Sequence, residues 1–206
     1  MHSLSVQEAL ERANALAASQ PRTVLGITGA PGAGKSTLAQ SILAAVPGSV
    51  VVGMDAFHLA HSVLTERGWV ERKGAIHTFD GDGYVSLLRR IRLGHERTIW
   101  APEFRREIED AIANAVPVEP TTRLVITEGN YLLAEAPPWC EVPQLCDEVW
   151  YVDLPDEVRL QRLTVRHMEF GRSPEEAWQR SIGSDGENAK FVQATRRRAT
   201  ATVRLD

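Results

Sequence analysis

The sequence predicts an α/β fold: a parallel sheet of about five strands with helices on both faces. Three observations predict it. Apolar strand-like runs alternate with helical stretches along the chain, the pattern of a parallel sheet covered by helices. A glycine-rich loop, Gly29-Ala30-Pro31-Gly32-Ala33-Gly34-Lys35-Ser36, stands between a β-branched run and a helical run. Two further strand-like runs end in an acidic residue, Asp55 or Glu128. Open α/β sheets collect their ligands at such strand ends.

The elements follow in order. Ser5-Val6-Gln7-Glu8 reads as a capping box opening a helix over 5–18. A first strand spans 22–28, where Thr23-Val24-Leu25-Gly26-Ile27-Thr28 is rich in strand formers. After the loop, 35–46 has helical apolar spacing, and Pro47-Gly48 stops it. A second strand covers 49–54. Residues 55–80 read as irregular, and Gly81-Asp82-Gly83 introduces a helix over 81–94. The stretch 94–121 is irregular too, punctuated by Pro102, Pro117 and Pro120, with a helix expected over 103–115 inside it. Strands follow at 123–128 and 147–153, then helices at 155–170, 174–182 and 186–200. No repeat, linker or low-complexity tract divides the chain, so residues 1–206 read as one domain.

Composition narrows the function. The chain has 206 residues, 43% hydrophobic and 24% charged, with a net charge of −4. That balance argues against nucleic acid as a partner. No apolar stretch approaches a membrane span, and the start lacks a signal peptide, so the expected location is cytoplasmic. The two cysteines, Cys140 and Cys146, have no ligand neighbours at metal spacing and read as inert thiols.

The loop at 29–36 satisfies the pattern G-x-x-x-x-G-K-[ST] in full. Four fixed positions arise by chance in under about 1% of chains this long at average residue frequencies. Its glycines let backbone N–H groups crowd around phosphate oxygens, and the following helix aims its positive end at them. Lys35 supplies a cation at the β/γ-phosphates, and the Ser36 hydroxyl, beside Thr37, can coordinate Mg²⁺. The ligand this names is a nucleotide phosphate with Mg²⁺, expected to be ATP.

The strand ends carry the remaining chemistry. Asp55, in Met54-Asp55-Ala56-Phe57-His58, can accept the proton of a substrate hydroxyl and orient its oxygen in line with the γ-phosphate. A turn-initiating Asp is the bland alternative. Glu128, in Thr127-Glu128-Gly129-Asn130-Tyr131, sits where an acidic residue holds Mg²⁺ or a Mg²⁺-bound water. Arg159, Arg162 and Arg166 share one helical face, and Arg172 follows. Such a row can clamp charge on a transferred phosphoryl group, or it can be a solvated basic face. Arg196-Arg197-Arg198 reads as solvated surface or helix C-terminal charge. His58, His61 and His77 could touch substrate, although any one is more often structural. Asp80 and Asp82 either contact substrate hydroxyls or cap the next helix.

Taken together, these pieces resemble the P-loop kinases of the uridine kinase, phosphoribulokinase and pantothenate kinase superfamily. Within it they are most similar to the bacterial small kinases known as fructose transport system kinases. The resemblance rests on the 29–36 loop, Met54–Leu59, Lys73-Gly74-Ala75, Thr78-Phe79-Asp80, Thr127–Leu133, Trp150–Asp153, Arg162 to Arg172, and Ser184-Asp185 with Asn188. It spans about 24 to 190. It implies a P-loop NTPase fold with a helical lid near 160–175. It implies Asp55 as catalytic base, with Lys35, Glu128 and Arg166 assisting. Arg162, Arg166 and Arg172 would lie on or beside the lid, and Asn188 near the adenine pocket. His58, Asp80 and Arg105 would face the acceptor together with Asp55 and Glu128. Two departures stand out: Ile76-His77 replaces a common proline, and no Asp precedes Arg105. Both bear on the acceptor, which is expected to be a small-molecule hydroxyl such as that of fructose, a nucleoside or pantothenate. Relatives often form dimers or tetramers, so a homodimer is one candidate assembly and the sequence leaves the oligomeric state open.

Two other classes compete. A GTPase-like switch would use Asp80-Gly81-Asp82-Gly83 as D-x-x-G, but these residues precede a helix and no N-K-x-D exists. A nucleotide-binding module driving a partner needs extra surface that 206 residues hardly leave.

Overall fold

A computed structural model describes residues 2–205. The elements are β1 (His2–Leu4), α1 (Val6–Ser19), β2 (Thr23–Thr28), α2 (Lys35–Ala45), β3 (Ser49–Gly53), α3 (His61–Glu66), α4 (Gly81–Leu93), β4 (Ile99–Arg105), β5 (Asp110–Val118), β6 (Leu124–Glu128), α5 (Val142–Leu145), β7 (Glu148–Asp153), α6 (Asp156–Glu169), α7 (Pro174–Ile182), α8 (Ser184–Thr195) and β8 (Ala201–Arg204). Six strands form one parallel sheet in the order β1-β8-β7-β2-β6-β3. The sequence predicts about five strands and places four of them; the sheet adds β1, only three residues long, and β8 beyond those four.

Strand periodicity sorts the core into two layers. Leu25, Ile27, Leu124, Ile126, Trp150 and Val152 face α1 and α2, meeting Ala9, Ala13, Leu38 and Ile42. The alternate residues Val24, Val125, Val149 and Tyr151 face the other way, onto Tyr84, Leu88, Ile91, Trp139 and Val192. Successive strand side chains point to opposite faces, so one apolar run feeds both layers. Helices therefore cover both faces, as the alternation predicts.

Helix ends match the local chemistry. The Ser5 hydroxyl accepts from the Glu8 N–H while the Glu8 carboxylate accepts from the Ser5 N–H, completing the capping box. A second capping box, Ser173 with Glu176, opens α7. Asp80 Oδ1 accepts from Gly83 N–H at 2.8 Å and starts α4.

Three expectations change. The predicted helix over 103–115 is an antiparallel hairpin of β4 and β5. Phe104, Ile108 and Ile112 recur every four residues and imitate a helix face. Ile99, Ala101 and Val118 are fully buried against the α4 layer, while Ile108 and Ile112 are exposed. Burial decides in favour of the strands, and the register shifts at Pro102, which has no N–H to donate. The last helix begins earlier and ends at Thr195, and the chain then turns into β8, which the sequence pattern missed. The run at 196–198 is solvated surface only in part: Arg197 is exposed, while Arg196 pairs with Asp153 at 2.7 Å and Arg198 donates to the Leu133 carbonyl. The 55–80 stretch is short turns with the six-residue α3, close to expectation. Among the described residues, no helix is long and apolar enough to cross a membrane.

Candidate active site

β2 lies between β6 and β7 at the middle of the sheet, and its buried run delivers the chain to the loop at 29–34. Gly34, the residue before α2, has φ 95°, a left-handed conformation that suits glycine. A Cβ there would stand 2.5 Å from Leu205 Cδ1, and one on Gly32 (φ 80°) would stand 2.6 Å from Leu163 Cγ. The loop is thus packed so closely against Leu163 and Leu205 that only glycine fits at 32 and 34. The first turn of α2 leaves N–H groups without helical partners at the same place.

The Lys35 ammonium is buried and donates to the Gly29 and Ala30 carbonyls at 3.0 and 3.2 Å. Burial lowers its pKa, and the charges of Glu128 and Asp55 oppose that effect. The Ser36 hydroxyl donates to Glu128 Oε1 at 3.2 Å. Glu128 reaches this point because β6 pairs with β2 in the register Ile27 to Glu128. Burial raises the Glu128 pKa, and the Asp55 charge raises it further, with Lys35 and the Ser36 hydroxyl working the other way. The same strand is tied to β3 by the Thr127 hydroxyl, which donates to the Val52 carbonyl at 2.7 Å.

β3 pairs Gly53 with Glu128, and the turn at Met54–Phe57 then presents Asp55 to the same cleft. His58 Nδ1 lies 2.9 Å from the Asp55 carbonyl. A carbonyl only accepts, so Nδ1 carries the proton and a neutral ring leaves Nε2 as an acceptor. The ring sits against Phe79 at 3.9 Å and Phe104 at 5.4 Å, and burial lowers its pKa.

These groups line one cleft of about 610 Å³ that also takes in Lys73, Phe104, Arg106, Arg166 and Arg172. The Arg166 guanidinium, near the end of α6, makes no side-chain hydrogen bond or salt bridge among the described residues, while its carbonyl accepts from the Phe170 N–H. Burial lowers its pKa, and the like charge of Arg106 adds to that. The neighbouring His167 Nε2 is 2.7 Å from Asp185 Oδ2, which ties α6 to α8.

The sequence-derived residues divide. Pro31, Gly32, Lys35, Ser36, Asp55, His58, Glu128, Arg166, Arg172 and Asn188 meet in the cleft, and so does His61. Arg162 lies beside the loop, its Nη1 3.8 Å from where a Gly34 Cβ would be. Arg159 is buried under the loop, holding the Pro31 carbonyl and Asp156, and is structural. Two assignments move. Asp80 serves as the α4 cap and is not in the cleft lining. Arg105 pairs with Glu103 on the outside of the hairpin, whereas Arg106 enters the cleft. Asn188 stays in the cleft lining and donates to the Gly74 carbonyl at 3.2 Å. His77 packs edge-on against Trp69 outside the cleft.

Sequence reasoning missed Arg106 and Arg180. Arg180, on α7, donates to the Glu71 and Lys73 carbonyls at 3.0 and 2.9 Å. Lys73 in turn donates to the Glu109 carbonyl at 2.7 Å and pairs with its carboxylate at 3.1 Å. The signal for Arg106 was its adjacency to Arg105, the residue that the family resemblance had placed at the acceptor.

The donor set suits Mg²⁺: one hydroxyl, one carboxylate and room for phosphate oxygens and waters. Among the described residues, no cluster of three or more His, Cys, Asp or Glu could hold a metal by itself.

No family model matches the chain. It is 35% identical over 201 residues to a Schizosaccharomyces pombe protein provisionally named a uridine kinase, covering 92% of this chain and 86% of that one. It is 32% identical over 155 residues to a Clostridium perfringens uridine kinase, covering 73% and 71% of the two chains. A crystal structure from Silicibacter sp. TM1040, provisionally named a fructose transport system kinase, matches with a TM-score of 0.83. The two are 38% identical, and the match covers 96% of each chain.

Proposed function

The chain belongs to the uridine kinase-like P-loop kinases, and on that premise we propose that it transfers the γ-phosphoryl group of ATP to a small-molecule hydroxyl. The observation that carries this reading is the meeting of Lys35, Ser36, Glu128 and Asp55 in one cleft. Mg²⁺, held by Ser36 and Glu128 with the nucleotide, would neutralise charge on the β- and γ-oxygens.

The chain's own residues do the rest. Lys35 moves from its loop carbonyls onto phosphate oxygens, and the glycine cradle surrounds them with N–H donors. Asp55 accepts the acceptor's hydroxyl proton as that oxygen bonds to phosphorus and the bridge to ADP breaks. Arg166, with Arg162 and Arg172 nearby, closes over the phosphates from a lid spanning about 160–175. His58 Nε2 accepts a hydrogen bond from another acceptor hydroxyl. We take residues 1–206 as a single kinase unit.

We favour a sugar such as fructose as acceptor, on the name of the Silicibacter protein, with a nucleoside as the second reading on the names of the other relatives. The test is ADP release from Mg·ATP across fructose, other sugars, uridine, cytidine and pantothenate. The expected result is strong release with one class. Tight ATP binding with a flat panel would overturn the kinase reading in favour of a nucleotide-binding module.

A further inference from the structure

Three cations from three separate elements surround the space between Lys35 and Asp55. Lys35 rises from the loop and α2, Arg166 comes from α6, and Arg106 comes from the turn joining β4 to β5. Arg106 Nη2 is 3.6 Å from Asp55 Oδ2, and among the described residues it is the cation paired with the expected base. Its guanidinium also lies 6.0 Å from the Phe104 ring centre, so its stem follows the cleft wall. The hairpin tip is held over the cleft by the Lys73 to Glu109 contacts. Hydroxyl, base and phosphorus must align in a phosphoryl transfer, so the incoming oxygen lies next to Asp55 and the γ-phosphorus just beyond it. A group 3.6 Å from the Asp55 carboxylate is therefore within a side-chain rotation of the equatorial oxygens of the transferring group.

We propose that Arg106 is a catalytic residue of the phosphoryl transfer, an arginine delivered by the β4–β5 hairpin that binds the transferring group opposite Arg166. This rests on the kinase reading above. The field at Arg166 supports it: the like charge of Arg106 makes the Arg166 charge costlier, a cost that an anion bound between them would offset. Lys35 and Glu128 also feel the Arg106 charge, which puts it at the reacting end of the cleft. Arg106 makes and breaks no bond. The acceptor oxygen bonds to phosphorus, the phosphorus–oxygen bond to ADP breaks, and the hydroxyl proton passes to Asp55. Arg106 holds the equatorial oxygens meanwhile, where an arginine in trans or in cis is worth about 10³–10⁵ in rate in related chemistry. The guanidinium fork can hold two oxygens at once, which a lysine cannot.

The test needs no acceptor. ADP affinity is measured by calorimetry with Mg²⁺, with and without aluminium fluoride, which mimics the transferring phosphoryl group. The wild-type chain is expected to bind ADP at least tenfold tighter with the fluoride. Arg106→Ala should lose that gain while keeping its affinity for Mg·ADP alone, and Arg106→Lys should recover only part of it. Arg97→Ala removes a charge at the root of the hairpin and should keep the gain in full. A full gain in Arg106→Ala overturns the proposal and leaves the kinase reading standing; Arg106 would then serve the acceptor or the hairpin alone. No gain in the wild type overturns both. Arg106 is on a turn and half exposed, so the alanine variant is expected to fold; its circular dichroism and melting curve check this.

Discussion

The two walls of the cleft are built differently. The nucleotide wall is contiguous in sequence: strand, glycine loop and helix over residues 23–45, with Glu128 brought alongside by a ladder neighbour. Its donors are largely backbone groups and one lysine. The wall we propose for the acceptor is assembled from the 54–80 turns, the β4–β5 hairpin and helices α7 and α8. It is held by side chains reaching for loop carbonyls. Arg180 holds Glu71 and Lys73, Asn188 and the Tyr131 hydroxyl both hold Gly74, and Lys73 holds Glu109. A wall made of backbone binds any nucleotide phosphate. A wall made of crossing side chains can be retuned one residue at a time, which suits a family whose members act on different acceptors.

The largest expected effect separates the walls at the chemical step. Asp55→Asn should cut kcat about 10²–10⁴-fold while leaving ATP affinity nearly unchanged, because the base is lost and no phosphate donor is. Lys35→Ala should lower ATP affinity and turnover together, because its ammonium serves the phosphates in both states. Calorimetric ATP titration beside steady-state rates measures both. If the two variants gave the same pattern, the division into walls would fail.

Arg180→Ala gives a smaller effect confined to the other wall. Two charged hydrogen bonds that fix the 71–73 carbonyls are lost. Bonds to charged groups contribute about 1.5–3 kcal/mol each, though water replaces part of that here. The acceptor KM should rise about tenfold, equivalent to about 1.4 kcal/mol, with ATP affinity unaltered. An unchanged acceptor KM with weakened ATP binding would show that α7 serves the nucleotide wall.

The same contrast explains what the sequence made legible. The nucleotide wall was readable because its requirements are local: glycines where no Cβ fits, a lysine at fixed spacing, an acid at a strand end. Asp55, Ser36 and Glu128 were found by position alone, and the structure brings them together. The acceptor wall was misread where the local signal and the tertiary packing disagree. The 104–108–112 spacing imitates a helix, yet Ile99, Ala101 and Val118 gain more by lying under α4 as strands. The family resemblance placed Arg105 at the acceptor, and the hairpin turn brings Arg106 into the cleft instead. Asp80 was an even choice between substrate contact and cap, and the Gly83 N–H makes it a cap. Arg180 and Asn188 act over more than a hundred residues of separation, which no local pattern encodes.

The smallest effect tests whether the acceptor wall is folded around a neutral histidine. His58 is packed between Phe79 and Phe104, and burial lowers its pKa below the ordinary value of about 6.5. In the unfolded chain His58 takes up its proton near that ordinary value, whereas in the fold it resists protonation to lower pH. Between the two values the unfolded state binds more protons, so stability falls as pH falls. The loss begins as pH drops through about 6.5 and stops growing below the folded value. One proton limits the slope to about 1.4 kcal/mol per pH unit. Glu128 has the opposite sense, since its raised pKa favours the folded state as acid is added. The comparison is therefore between slopes, not absolute stabilities. Urea midpoints from pH 7.5 to pH 5 should fall less steeply for His58→Gln than for the wild type, because glutamine keeps polar contacts without titrating. Parallel slopes would mean that His58 takes up its proton as easily in the fold as out of it. Its Nε2 would then be a charged donor near pH 6, and the acceptor group beside it an anion instead of a hydroxyl.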